Sequence, residues 1–388
     1  MQTIYINNKQ MKTNKLFAIS MMALAALSFS ACNKTPEVED PTKNSLETAL
    51  ETTRTQFVDQ TVLPTYCGLA DACAVLSEKL DGFSSESSDA DLKAICDEWV
   101  IARQYWEWSE AFLFGPATTY SIDPHIDTWP FNETTFNNLL SKYHPATDEL
   151  DAENINEAIA FTQNLTGFHA LEYLIFRNGT QRKVSDLTAD EIYFAKAVAA
   201  DLQLASIKLV SAWGGEVSDD EQAILDDAEW EAERNYGEYF KSESGVDAAV
   251  AIIEGARDII GEVNEMKIGA PHTGADTKYI ESPHAYNSIQ DFYDNILSCQ
   301  HALYGKLNAT APIEGSLIAS TQANDILKDQ TAKVVDALNT ALAKIKVMKA
   351  PFVLNYEDES AGEAMDALGV LDDELKALET LIQNYDEK

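Results

Sequence analysis

The sequence predicts an all-α protein of two helical-bundle domains in tandem, packed against each other. Three observations carry this. Apolar residues recur at alternating spacings of three and four along most of the 388 residues, three capping boxes mark helix starts, and no strand-length alternation competes with them. At 45% hydrophobic the chain is too apolar to be a disordered acidic polymer. Its 64 Asp+Glu against 28 Lys+Arg, a formal charge of −36, argue against nucleic acid or an anionic bilayer as a binding surface, since either would be held against strong repulsion. Cationic partners, metal ions included, fit that balance.

Residues 1–31 read as a lipoprotein signal peptide. Lys9, Lys12 and Lys15 precede the apolar run Leu16 to Phe29, and Ser30-Ala31 places small residues before Cys32, the expected lipidation site. The run is short for a membrane span. An ordinary cleaved signal that leaves Cys32 a plain thiol is the alternative. Residues 32–43, with Pro36, Pro41 and several acids, read as a flexible tether. The expected location is the cell envelope, lipid-anchored at the outer membrane and facing periplasm or surface.

The N-terminal bundle is expected over 44–180. Leu46, Leu50, Thr53 and Phe57 run to a break at Pro64, and Tyr66, Leu69, Cys73, Leu76 and Leu80 resume beyond it. Leu92, Ile95, Trp99, Trp106 and Leu113 form a stripe in a helix from Asp89 to Phe114, stopped by Gly115-Pro116. Ile155, Ile159, Leu165 and Phe176 mark another. Arg177 to Asp186, polar and containing Asn178-Gly179, is the expected junction. The C-terminal bundle, 181–388, carries capping boxes at Thr188/Glu191, Ser218/Glu221 and Ser360/Glu363, and a long loop from Gly269 to Pro283. Its last two helices are the clearest, with Leu327, Thr331, Val334, Leu338, Leu342, Ile345 and Met348 in one and Leu368, Leu371, Leu375, Leu378 and Ile382 in the other. Cys67, Cys73, Cys96 and Cys299 show no C-x-x-C spacing, and the first three fall on or beside apolar stripes. Small buried side chains are the favoured account over a redox or zinc motif.

Chemistry is signalled where charge interrupts a stripe that should be buried. In Leu165 to Phe176 the ionisable groups besides the Tyr173 phenol are His169 and Glu172, three apart and therefore on one helix face. A buried charge has to be neutralised, paired or bound to metal, and Gly167 inside the same helix implies close approach of a backbone or ligand. A structural His-Glu pair is the bland alternative. Arg103 and Glu110 occupy core-facing positions with Glu107 beside them, and an internal ion pair would satisfy them. His284, Ser288, Asp291 and Asn295 step along one ridge, a pattern that is more often a solvated face. Between these helices, 119–132 reads as a loop with Asp123, His125, Asp127 and Trp129-Pro130.

These residues together resemble the imelysin family of bacterial envelope proteins, named for a proposed insulin-cleaving peptidase and overlapping iron-regulated and iron-uptake proteins. The resemblance rests on Gly167-Phe-His169-Ala-Leu-Glu172 matching G-x-H-x-x-E, on Arg103 to Pro116 (RQYWEWSEAFLFGP), on Asp127-x-Trp129-Pro130, and on Ser282 to Asp291. It implies two bundle-like domains with a site near their interface around His169 and Glu172.

The peptidase name meets a chemical objection. Zincins supply H-E-x-x-H or H-x-x-E-H, and here Tyr173 stands where the second histidine belongs. A zinc metallopeptidase is therefore the alternative, and a non-metal interaction protein a third reading. The favoured expectation is a membrane-anchored binding protein implicated in metal uptake, with iron first and zinc second. His169, Glu172, Glu110 and Asp127 are the candidate metal ligands. Arg103, Glu107, Trp129, His284, Ser288 and Asp291 are the candidate ligand-binding residues, and Arg103 could instead hold the carboxylate of a metal chelate. Expected partners are the metal ion or chelate, the membrane through the lipid anchor, and an envelope transporter or receptor.

Overall fold

The computed structural model describes residues 41–142 and 165–385. The signal, Cys32, Ile155 and Ile159 lie outside the described residues. Helix α1 (Pro41–Gln56) begins inside the stretch expected as tether, because proline suits the first turn of a helix. It passes through a π-helical turn, Phe57–Val62, into α2 (Leu63–Asp81). Pro64 does not break the rod, since it sits in the first turn of α2 behind the wider π turn.

Helix α3 (Asp89–Glu107) starts at a capping box of Ser88 and Asp91 and gives way to a 3₁₀ turn, Glu110–Phe112, short of the expected Phe114. The expected loop at 119–132 runs from the end of α4 (Pro116–Thr119) to the start of α6 (Glu133–Lys142) and holds one helical turn within it, α5 (Asp123–Ile126). After α7 (Gly167–Ile175) comes a small antiparallel hairpin, β1 (Phe176–Arg177) with β2 (Thr180–Gln181). Its turn is Asn178-Gly179 with φ of 50° and 75°, the left-handed pair that a two-residue hairpin needs.

Helices α8 (Ala189–Ala212) and α9 (Asp219–Asp227) start at the expected capping boxes. Then follow α10 (Tyr236–Ser242), α11 (Gly245–Glu262), a second π turn (Val263–Ile268) and α12 (Gly269–His272), the last taking the first four residues of the expected loop. The remainder is α13 (Ser288–Tyr304), α14 (Leu317–Gln322), α15 (Lys328–Lys346), α16 (Phe352–Asn355) and α17 (Glu359–Gln383). The box expected at Ser360 does not form. Asp358 caps α17 two residues earlier by accepting from the Ser360 N–H at 3.2 Å, which leaves Glu363 free to pair with Lys344 at 2.8 Å.

Packing interlocks early and late segments: α2 lies on α3 and α8, α1 on α11, α15 on α17, and α13 against α3, α11 and α15. Residues Asp40–Lys388 form one compact unit, and the boundary expected at 180/181 falls inside it. The four cysteines Cys67, Cys73, Cys96 and Cys299 are free, and the last three are buried. Among the described residues no helix is long and apolar enough to cross a membrane.

Candidate functional site

The apolar stripe of α3 carries Arg103 and Glu107 one turn apart into the interior, where both are fully buried and in direct contact. Gly167 opens α7 rather than lying inside it. Its φ is 75°, and a Cβ there would sit 2.0 Å from the Ile126 carbonyl oxygen, so only glycine lets α7 close on the end of α5. That approach sets His169 beside Asp127, with Nε2 to Oδ1 at 3.2 Å. The second π turn rotates Lys267 into the same space, and α13 presents Asp291 and Asn295. The ridge of α13 that reads as a solvated face is thus buried, because it meets charge on α3.

Arg103 is the hub. Its guanidinium contacts Asp127 and Glu107 directly, reaches Glu281 at 2.7 Å, and stands 5.3 Å from the Phe168 ring centre. Asp127 also accepts from the Trp106 indole at 2.7 Å. Burial raises the Asp127 carboxyl, but Arg103 and His169 overcome it and hold the group well below the usual carboxylate range. Burial depresses His169, yet the carboxylates of Asp127 and Glu172 outweigh it and raise the imidazole to about 9. Lys267 donates to Glu281 at 3.0 Å and Asn295 at 3.3 Å, with the Trp129 ring centre 5.8 Å away. Burial pushes Glu107 and Glu110 well above their ordinary range and Asp291 up to about 7, in each case against nearby cations.

Glu172 has a different set of partners from the ligand set expected of it. One oxygen accepts the backbone N–H groups of His284 and Ala285, at 2.7 and 2.8 Å, and the other faces His169 Nδ1 at 3.3 Å. It anchors the 281–288 loop, which Ser288 also ties down by donating to the Glu281 carbonyl at 2.6 Å. His284 itself turns outward, to Glu133 at 3.4 Å and the Tyr173 ring. Trp129 packs on Tyr279 at the half-buried edge, and Glu110 lies among the charges of Lys267, Glu262, Asp127 and Asp123. Lys267 and Glu281 were not among the residues singled out by sequence. Lys267 had a signal, since it continues the helical register of Ile260 and Val263. Glu281, between Ile280 and Ser282 in a loop, had none.

Two groups of donors converge among the described residues: Asp127, His169 and Glu281, and Glu107, Glu281 and Asp291, each within 4.8 Å. Four buried ligand atoms there make no hydrogen bond: Glu107 Oε1, which contacts the Arg103 guanidinium as an ion pair, His169 Nε2, which stands 3.2 Å from Asp127 Oδ1, Glu281 Oε2 and Asp291 Oδ2. The cluster's buried carboxyl groups, Glu107, Glu110, Asp127, Glu172, Glu281 and Asp291, outnumber its cations, Arg103, Lys267 and the His169 imidazolium. Unpaired donors and an excess of acid suit a cation bound through oxygen and imidazole. His169 and Glu172 are closed off from solvent, and a surface cleft of about 320 Å³ lies elsewhere, lined by Glu254, Arg257, Asp258 and Asp372.

This defines a class of protein: a helical envelope for a buried carboxylate–imidazole–guanidinium cluster. The sequence pattern of the imelysin family matches residues 62–382, and the chain belongs to that family. It is 29% identical over 270 residues to "Iron-regulated protein A" of Synechococcus elongatus, spanning 69% of this chain and 65% of that protein's length. Its structure is similar to that of an iron-regulated protein A precursor from Parabacteroides distasonis, with a TM-score of 0.74 at 25% identity, covering 86% of this chain and 95% of that one. An imelysin-like protein from Psychrobacter arcticum has the same fold, with a TM-score of 0.62 at 16% identity over 85% and 94% of the two chains.

Proposed function

We propose that the protein binds a metal ion, iron before zinc, as cargo in metal uptake at the cell envelope, tethered there by lipid on Cys32. The observation that carries this reading is the Asp127, His169 and Glu281 donor group, with unpaired buried atoms on two of its members. A set of carboxylates and one imidazole, with no thiolate, matches iron and manganese better than soft ions. The names of the relatives support the iron assignment. Binding is favoured over hydrolysis because neither donor group holds a second histidine, and the Tyr173 hydroxyl at the zincin position accepts from Asn137 at 2.9 Å. Delivery to an envelope transporter or receptor would follow from the tether.

Elemental analysis of the purified protein, with titration of iron, zinc and copper into wild type and His169→Ala, tests the reading. Iron should bind with defined stoichiometry and at least about tenfold more weakly in His169→Ala, one lost ligand being worth over 1.4 kcal/mol. Equal uptake by the two proteins would refute it.

A further inference from the structure

The two donor groups share Glu281, and Arg103 straddles both. Its guanidinium contacts Asp127 of the first group and Glu107 of the second, and meets the shared Glu281 at 2.7 Å. It does not complete the second group. Arg103 Nε has no hydrogen-bond partner and stands 3.8 Å from Asp291 Oδ1, while Asp291 Oδ2 is also unpaired, all of it fully buried. Leaving such groups unmade inside a protein is costly, so the second position is arranged for a guanidinium that is only partly in it.

We infer that the cluster is a two-position cation site. Arg103 holds the Asp127, His169 and Glu281 position closed, and withdraws into the Glu107, Glu281 and Asp291 position when a metal ion takes the first. This rests on the metal-binding reading above and states how that site is closed and opened. The withdrawal is geometrically short. Glu107 lies one turn along the same helix, so Arg103 keeps that contact while releasing Asp127. Phe168 offers a ring face at 5.3 Å on which the planar group rests. Lys267 stays on Glu281 and Asn295, so the shared carboxylate remains neutralised. A metal ion and the guanidinium would compete for the same Asp127 oxygen and repel each other there, and only a guanidinium has the fork to bridge Asp127, Glu107 and Glu281 at once. The acids are thereby compensated without metal, so the protein folds empty and meets its ion with a resident competitor.

Calorimetric titration of the full chain with Fe(II) alone, under nitrogen, tests this, with circular dichroism melts confirming each variant's fold. Arg103→Lys shortens the reach and removes the fork, and should bind Fe(II) at least fivefold more tightly than wild type. Asp291→Asn spoils the second position without touching a residue of the first, and should bind at least fivefold more weakly. The Arg103 Nε–H resonance should move on metal addition in wild type and move less in Asp291→Asn. Weaker binding by folded Arg103→Lys, or an unchanged affinity in Asp291→Asn, overturns the exchange while leaving metal binding intact. If Arg103→Lys does not fold, Asp291→Asn and the Nε–H resonance decide alone. Absence of Fe(II) uptake by wild type and both variants would overturn the metal reading and this inference together.

Discussion

Two buried regions of this protein are built on opposite plans. In the seam between α15 and α17, Leu338, Ala341 and Ile345 meet Leu368, Leu371, Leu375 and Leu378, and charge stays on the rim, as in the Lys344–Glu363 pair. Where α3, α7 and α13 converge, the equally buried positions hold Arg103, Glu107, His169, Glu172 and Asp291. The seam is held by removal of apolar area from water, which is non-directional and tolerant. The cluster is held by charges that remain buried only while each keeps its partners, so it is sensitive to single groups and to pH. A fold that needed only a core would have repeated the seam.

The largest break in that contrast should come from Lys267→Met. Removing one partner of a buried ionic network costs about 3–5 kcal/mol, because Glu281 and Glu107 are left uncompensated. Urea unfolding should show this loss relieved at low pH, where the acids protonate. In the seam, Leu371→Ala should cost about 2–5 kcal/mol by leaving a cavity, with the same value at every pH.

Gly167→Ala should follow, at more than about 2 kcal/mol, since left-handed backbone strain of about 1–2 kcal/mol adds to a clash with the Ile126 carbonyl. If the variant folds, it should also lose metal affinity by prising His169 from Asp127, which titration would read.

The pH dependence itself comes next. His169 is raised from 6.5 to about 9, so the stability it contributes is complete below about 6.5 and is lost as pH rises through about 9. Asp291, raised from 3.8 to about 7 by burial, acts with the same sign: its contribution is present below 3.8 and lost as pH rises through 7. The urea midpoint should therefore fall between about pH 5 and pH 9.5 in wild type, and fall less in His169→Gln. The smallest effect belongs beside the seam. Gly261 on α11 has open space around its missing Cβ, so Gly261→Ala should stabilise by about 0.5–1 kcal/mol, measured as a small rise in melting temperature.

The same contrast separates what could be read in advance from what could not. The stripes of α15 and α17 and the capping boxes at Thr188 and Ser218 were legible because they repeat within one or two helical turns. Asn178-Gly179 signalled a break in the helical pattern, and its backbone preference made that break a hairpin turn. At the cluster, the pairings Arg103 with Glu107 and His169 with Glu172 follow from helical spacing and are present. The role of Glu172 did not follow, since the backbone N–H groups that donate to it lie in a loop more than a hundred residues away.

By itself, then, the chain determined which segments coil, where they start, and which charged residues share a face, because those depend on neighbours a turn apart. Only the tertiary structure decided that Asp127, Glu281, Lys267 and Asp291 would gather around one guanidinium. That grouping depends on π turns that rotate a helix face and on a glycine that lets two backbones touch. It also depends on the closure of loops too long for local spacing to specify.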